Sequence, residues 1–148
     1  MILIDANLLL YAVNRDLPKH KPALSWFEKI LSSDNPVGLP WVVILAFLRI
    51  ATNGRVFTRP LSSDVAIGLV ADWLDQPNVK AISPGDRHWS ILQTLLEQTG
   101  MAGNLTTDAH IAALALEQGY TVYSADNDFK RFPGLRHINP LVTLSNKS

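Results

Sequence analysis

The chain opens on Ile2, Leu3 and Ile4, an unbroken apolar run closed by Asp5. Apolar residues at consecutive positions, rather than alternate ones, predict a short strand buried on both faces of a parallel sheet. Leu8, Leu9, Leu10, Tyr11 and Val13 follow until Asn14, Arg15, Asp16 and Pro18 break the pattern, which predicts about two helical turns. From His20 or Pro22 the apolar positions Leu24, Trp26, Phe27, Ile30 and Leu31 take helical spacing, with Lys21, Glu28 and Lys29 turned outward. Val37 to Leu39 predicts a brief strand. Trp41 to Ala51 reads as a helix apolar nearly all round, with Arg49 its single charge, so it must be buried in the core or against a partner.

Asn53-Gly54 signals a turn, and Ser63-Asp64 starts a helix whose apolar face is Ala66, Ile67, Leu69, Val70, Trp73 and Leu74. Val79, Ala81 and Ile82 suit a strand. Pro84-Gly85-Asp86 turns into a helix carrying Trp89, Ile91, Leu92, Leu95 and Leu96. Another helix spans Thr107 to Gln118 and ends at the C-cap Gly119. Tyr120 to Ser124 is β-prone, Asp126-Asn127-Asp128 begins a helical turn, and Ile138 belongs to a last small strand. Strands alternating with helices predict an α/β layered domain around a mostly parallel sheet. No repeat, linker or low-complexity tract interrupts it, so one domain fills residues 1–148.

Composition narrows the partners. Thirteen Lys+Arg balance thirteen Asp+Glu, so nucleic acid would have to be held by local charge rather than net charge. The absence of cysteine removes disulfides, thiolate zinc sites and a cysteine nucleophile together. The N-terminus lacks a basic segment and carries Asp5, unlike a secretory signal, and the longest apolar run, Leu39 to Leu48, falls short of the roughly 20 residues a bilayer requires. The expectation is a cytoplasmic protein with no membrane attachment.

Asp5 directly follows the first strand and Asp126 closely follows Tyr120 to Ser124, so both are expected at the carboxyl ends of parallel strands, the edge where open α/β sheets place their sites. Asp108 shares a helical stripe with Ile111, Ala112 and Ala115 and therefore points inward, whereas Glu117 falls on the opposite, solvated face. Asp128 is a fourth candidate. Each acid alone also suits a helix cap or a turn. If Asp5, Asp108 and Asp126 converge, like-charge repulsion raises their pKa values unless a cation lies between them. Oxygen-only donors point to Mg²⁺ or Mn²⁺, and the chemistry such an ion supports is phosphoester hydrolysis by an activated water. Asn7 is a candidate to hydrogen-bond Asp5 or a metal-bound water, also suiting the cap of the helix that follows, and Ser124, two residues before Asp126, suits either similar support or plain strand filler. The four histidines are scattered; His110 projects roughly 160° away from Asp108, and all four are read as core or surface residues.

From Asn35 to Ser63 there is no acid, while Arg49, Arg55 and Arg59 give a local charge of +3. That stretch is a candidate phosphate-facing patch, with Phe57 and Trp41 as stacking surfaces. Lys130, Arg131 and Arg136 form a weaker second patch beside Asp126.

Four segments, Leu3 to Leu8 (LIDANL), Phe47 to Asn53 (FLRIATN), Gly103 to Ala115 (GNLTTDAHIAALA) and Ser124 to Gly134 (SADNDFKRFPG), together resemble PIN-domain ribonucleases, specifically VapC toxins of toxin-antitoxin modules. The resemblance covers nearly the whole chain. It implies a three-layer α/β/α fold, Mg²⁺- or Mn²⁺-dependent endoribonuclease activity, homodimerisation and inhibition by a VapB-like antitoxin. The family's acids fall on Asp5, Asp108 and Asp126, with Asp128 as the accessory acid. One departure is Ala46, where many relatives carry glutamate before the Phe-Leu-Arg element; the site then has one potential ligand fewer.

Two other functional classes stand beside the nuclease. A weakened PIN-like protein would grip RNA or an antitoxin without cutting. A haloacid-dehalogenase-like phosphatase would use Asp5 as nucleophile, but wants an acid where Asn7 stands. The apolar excess around Trp26, Phe27 and Trp41 to Leu48 predicts a protein partner.

Overall fold

A computed structural model describes residues 1–100 and 103–142 of the chain. Five strands, β1 (Ile2–Ile4), β2 (Val37–Pro40), β3 (Val79–Ile82), β4 (Thr121–Tyr123) and β5 (His137–Ile138), form one all-parallel sheet in the order β3-β2-β1-β4-β5. The unbroken apolar run places β1 at the centre, with all three residues buried. From β1 the chain builds β2 and β3 to one side, then crosses back to lay β4 and β5 on the other. The order therefore reverses between β1 and β4, and a crevice opens beyond their carboxyl ends.

Among the described residues six α-helices, α1 (Ala6–Val13), α2 (His20–Leu31), α3 (Trp41–Ala51), α4 (Ser63–Leu74), α5 (His88–Thr99) and α6 (Thr106–Gln118), complete a three-layer α/β/α fold. α1 packs on α2 and α3, α3 on α4, and α5 on α6. Leu3, Ile4, Leu8, Leu9, Phe47 and Phe129 are fully enclosed, each side chain contributing about 1.5–3 kcal/mol by leaving water. Gly119 closes α6 at φ 80°, a conformation that costs glycine nothing, and the chain turns straight into β4.

Three helical faces differ from expectation, each for a reason of phase. In α4 the buried stripe is Ala66, Val70 and Trp73, and Ile67, one residue out of phase, is 57% exposed. In α5 the stripe runs from His88 to Leu95 and Leu96, which leaves Trp89 65% exposed and buries a histidine in its place. α3 is not enclosed all round: Val43, Ile44, Phe47 and Ala51 are buried, while Trp41 and Leu45, one turn apart, are 50% and 59% exposed. Phe27 is buried and edges against Trp73, and Trp26 stacks on Tyr123 at 5.6 Å, so most of the apolar excess assigned to a partner is absorbed internally. Among the described residues no helix is long and apolar enough to cross a membrane.

Candidate active site

The register of β1 and β4 pairs Ile4 with Tyr123, so the next residues outward, Asp5 and Ser124, stand side by side at the mouth of the crevice. The Ser124 hydroxyl donates to Asp5 Oδ2 at 2.8 Å and accepts from the Asp126 N–H at 3.0 Å and from Asn7 Nδ2 at 3.1 Å. One donor and two acceptor positions of a hydroxyl are thus all used. Asn7 Oδ1 accepts from the Ala125 N–H at 3.3 Å, tying α1 to the end of β4. Asn7 does not cap α1; Asp5 does, its Oδ1 accepting from the Ala6 N–H at 2.8 Å. Cap and site are therefore one residue, and the two readings of Asp5 coexist.

Across from Asp5, Asp108 on the first turn of α6 and Asp126 and Asp128 on the turn after β4 each offer an oxygen within 4.8 Å of the others. Asp108 points inward as the helical stripe requires, and Ile111, Ala112 and Ala115 below it are buried. Asp126 orders its own turn by accepting from the Asp128 N–H at 2.9 Å. Asp5 lies outside this tight trio but shares its field. Its carboxyl is held above the usual range by burial, with Asp126 adding to the rise and the Ser124 and Ala6 hydrogen bonds opposing it. Asp108 is pushed up to about 7, first by burial and then by the charges of Asp126, Asp5 and Asp128. Among the described residues the one ion pair to the trio is Arg131, exposed, with Nε 3.6 Å from Asp128.

The donor set suits a hard divalent cation. The trio offers only carboxylate oxygens, spaced so that one ion can face all three, and their mutual repulsion is what such an ion relieves. Ala46 on α3 offers no oxygen, so α3 adds no ligand at that position.

The basic candidates are less convergent. Arg49 is exposed on α3, and Arg55 lies in the following loop, its backbone N–H bound by Asn53 Oδ1 at 2.8 Å. Arg59 pairs with Asp16 just beyond α1, its Nε donating to Oδ2 at 3.2 Å and its Nη2 to Oδ1. With Leu10, Ala51, Phe57 and Leu61 the pair lines a cavity of about 240 Å³. Glu117 is not merely solvated: its carboxylate accepts the Gly85 and Arg87 N–H groups at 2.8 and 2.9 Å and anchors the turn into α5. His88 and His110 face each other at 2.9 Å between α5 and α6. His137 on β5 sets Nε2 2.9 Å from the Ser124 carbonyl. Arg131 belongs to the second basic patch expected beside Asp126, whereas nothing in the spacing of His137 marks it beforehand, because its partner is a backbone carbonyl.

Comparison with known proteins bears on the fold and the family. The PIN domain family model matches residues 2–135. Ribonuclease VapC37 of Mycobacterium tuberculosis is 46% identical over 144 residues, covering 97% of this chain and 100% of its own length. Ribonuclease VapC33 of the same organism is 42% identical over 141 residues, covering 95% and 99%. The structure of VapBC2 from Rickettsia felis bound to a DNA fragment from their promoter superposes with a TM-score of 0.69 at 19% identity, covering 94% of this chain and 98% of that one.

Proposed function

The chain belongs to the PIN-domain family, among its VapC ribonucleases, and on that footing we propose that it is a metal-dependent endoribonuclease, using Mg²⁺ or Mn²⁺, that acts as the toxin of a toxin-antitoxin pair. The observation that carries the reading is the meeting of Asp108, Asp126 and Asp128 within 4.8 Å, beside Asp5, at the point where strand order reverses. These four acids would hold the cation. When bound, it supplies positive charge for the phosphate and makes an attacking water more acidic.

The chain's own residues do the positioning. Ser124 and Asn7 fix Asp5, and the Ser124 hydroxyl couples Asp5 to the Asp126 backbone, so acids from two strands move as one unit. Asp108, pushed up to about 7 by burial and the neighbouring carboxylates, is a group for which a proton would compete with a cation near neutral pH. Arg49 and Arg55 are proposed to meet RNA phosphates, and Arg59 to join them on releasing Asp16. A VapB-like antitoxin is the proposed restraint and a homodimer the proposed assembly, with Trp41 and Leu45 as the apolar surface available to either. The place of action is proposed to be the cytoplasm, where the RNA is.

Antitoxin-free protein mixed with structured RNA and Mn²⁺ or Mg²⁺ is expected to yield fragments that EDTA suppresses. Asp5→Asn should abolish cleavage while far-ultraviolet circular dichroism stays unchanged. Undiminished cleavage by that variant overturns the site assignment. RNA that is retained but never cut by the parent would instead favour the non-cutting binder that Ala46 suggests.

A further inference from the structure

We infer that His137 is a positioning residue that sets how tightly the acidic crevice holds its cation. The inference rests on the reading of that crevice as a metal centre. Its Nε2 lies 2.9 Å from the Ser124 carbonyl oxygen. A carbonyl only accepts, so Nε2 carries a proton and donates it. Nδ1 is buried and finds no partner among the described residues. An imidazole with one nitrogen buried to no purpose is retained at a cost, and the return lies in what its other nitrogen and its ring hold.

Both contacts fall on the segment that carries two of the acids. Ser124 precedes Asp126 by two residues, and its hydroxyl joins Asp5 to the Asp126 backbone. Phe129 directly follows Asp128; it is fully buried, and its ring centroid lies 5.8 Å from that of His137. The histidine therefore grips residues 124–129 at both ends, with Asp126 and Asp128 between the two grips. The strand that carries it has only two residues, paired in parallel with Val122 and Tyr123 of β4, and beyond that pairing Val122 N–H reaches Arg136 O at 2.9 Å and Ser124 N–H reaches Ile138 O at 3.1 Å. On so short an edge the side chain adds a constraint that the backbone pairing does not extend to the turn. Groups that orient metal-binding side chains from behind change affinity by roughly 10–100-fold when removed.

The test is Mn²⁺ binding to purified, metal-stripped protein, measured by titration calorimetry without RNA. His137→Phe keeps the ring against Phe129 and deletes the donor; it is expected to weaken Mn²⁺ binding about tenfold. His137→Gln, whose amide nitrogen reaches about where Nε2 sits, is expected to restore binding close to the parent. Parent-like affinity in a folded His137→Phe variant, with only a lower unfolding midpoint, overturns the inference and leaves an ordinary strand contact. Should His137→Phe fail to fold, His137→Asn, too short to reach the Ser124 carbonyl, replaces it with the same expectation and the same overturning result. Asp126→Asn separates the two layers: if that variant binds Mn²⁺ as the parent does, the metal-centre reading itself fails, whatever His137 does.

Discussion

Two acids at the mouth of β1 and β4, Asp5 and Asp108, and two elsewhere on the surface, Asp16 and Glu117, have opposite electrostatic fates. Asp16 is pulled below its ordinary pKa by the Arg59 hydrogen bonds, and Glu117 by the N–H groups of Gly85 and Arg87. Asp5 and Asp108 are pushed up, by burial first and by neighbouring carboxylates after it. An acid whose partners belong to the chain has finished its bonding on folding. An acid crowded by its own kind has not, and its environment favours a proton or a cation in the space between. By this criterion a structural carboxylate and a functional one can be told apart even where both sit at helix ends or turns.

The largest difference expected from this contrast concerns Asp108 in metal-free protein. Its folded pKa of about 7 lies above the unfolded value of 3.8, so the native state binds the proton more tightly. Stability from this group is present in acid and falls as pH rises from about 4 to about 7, staying low above that. Asp108→Asn removes the penalty. In EDTA at pH 8 the variant should be more stable than the parent by about 1–2 kcal/mol, a figure discounted from the full shift because the side chain is partly exposed. At pH 4 the two should be nearly equal. Urea unfolding at both pH values reads this directly. A variant less stable than the parent at pH 8 would show that Asp108 is satisfied within the chain and would erase the contrast.

Glu117 should behave in the opposite sense. Its lowered pKa means that its contribution is present above the ordinary glutamate range and is lost as pH falls through the lowered value. Glu117→Ala deprives two backbone donors of their acceptor at the turn into α5. A drop of about 2–4 °C in Tm at pH 7 is expected, shrinking towards zero in strong acid. Mn²⁺ affinity should be untouched. A loss of Mn²⁺ binding in this variant would join the two regions that the pKa directions separate.

How far the sequence discloses this contrast depends on the range of the interaction. The apolar run Ile2 to Ile4 is enough to place Asp5 at the end of a buried strand, because strand burial is written in adjacent residues. The stripe of α6 is enough to turn Asp108 inward, because 100° per residue is a local rule. The pairing of Ile4 with Tyr123 is not legible, since register between strands more than a hundred residues apart is settled by packing. For that reason Ser124 is foreseen as a supporting residue without its triple role, and of the two parts read for Asn7 it keeps the hydrogen bond to Asp5 while Asp5 itself takes the cap. Glu117 shows the reverse error. Helical phase turns it outward as expected, but the turn before α5, some thirty residues earlier, comes to meet it. Trp89 is misassigned because an apolar residue is counted into a stripe that geometry gives to His88.

The smallest effect is expected at Arg59. The ion pair with Asp16 joins side chains that are 77% and 37% exposed, and pairs of this kind add almost nothing to stability once solvent screening and side-chain entropy are counted. Arg59→Ala should therefore leave the urea midpoint unchanged at pH 7, while the Asp16 carboxyl, followed by NMR, returns upward towards its ordinary pKa. The pair matters more for what it withholds. A guanidinium spent on Asp16 is not offered to phosphate, so Asp16→Asn should release it and strengthen RNA retention at low salt, with the gain disappearing at high salt. Arg59→Ala in the same assay should lower the salt slope by at most about one unit. If Asp16→Asn instead weakens RNA retention, Asp16 orients Arg59 towards RNA rather than holding it back, and an acid with its partner inside the chain would be serving the site after all.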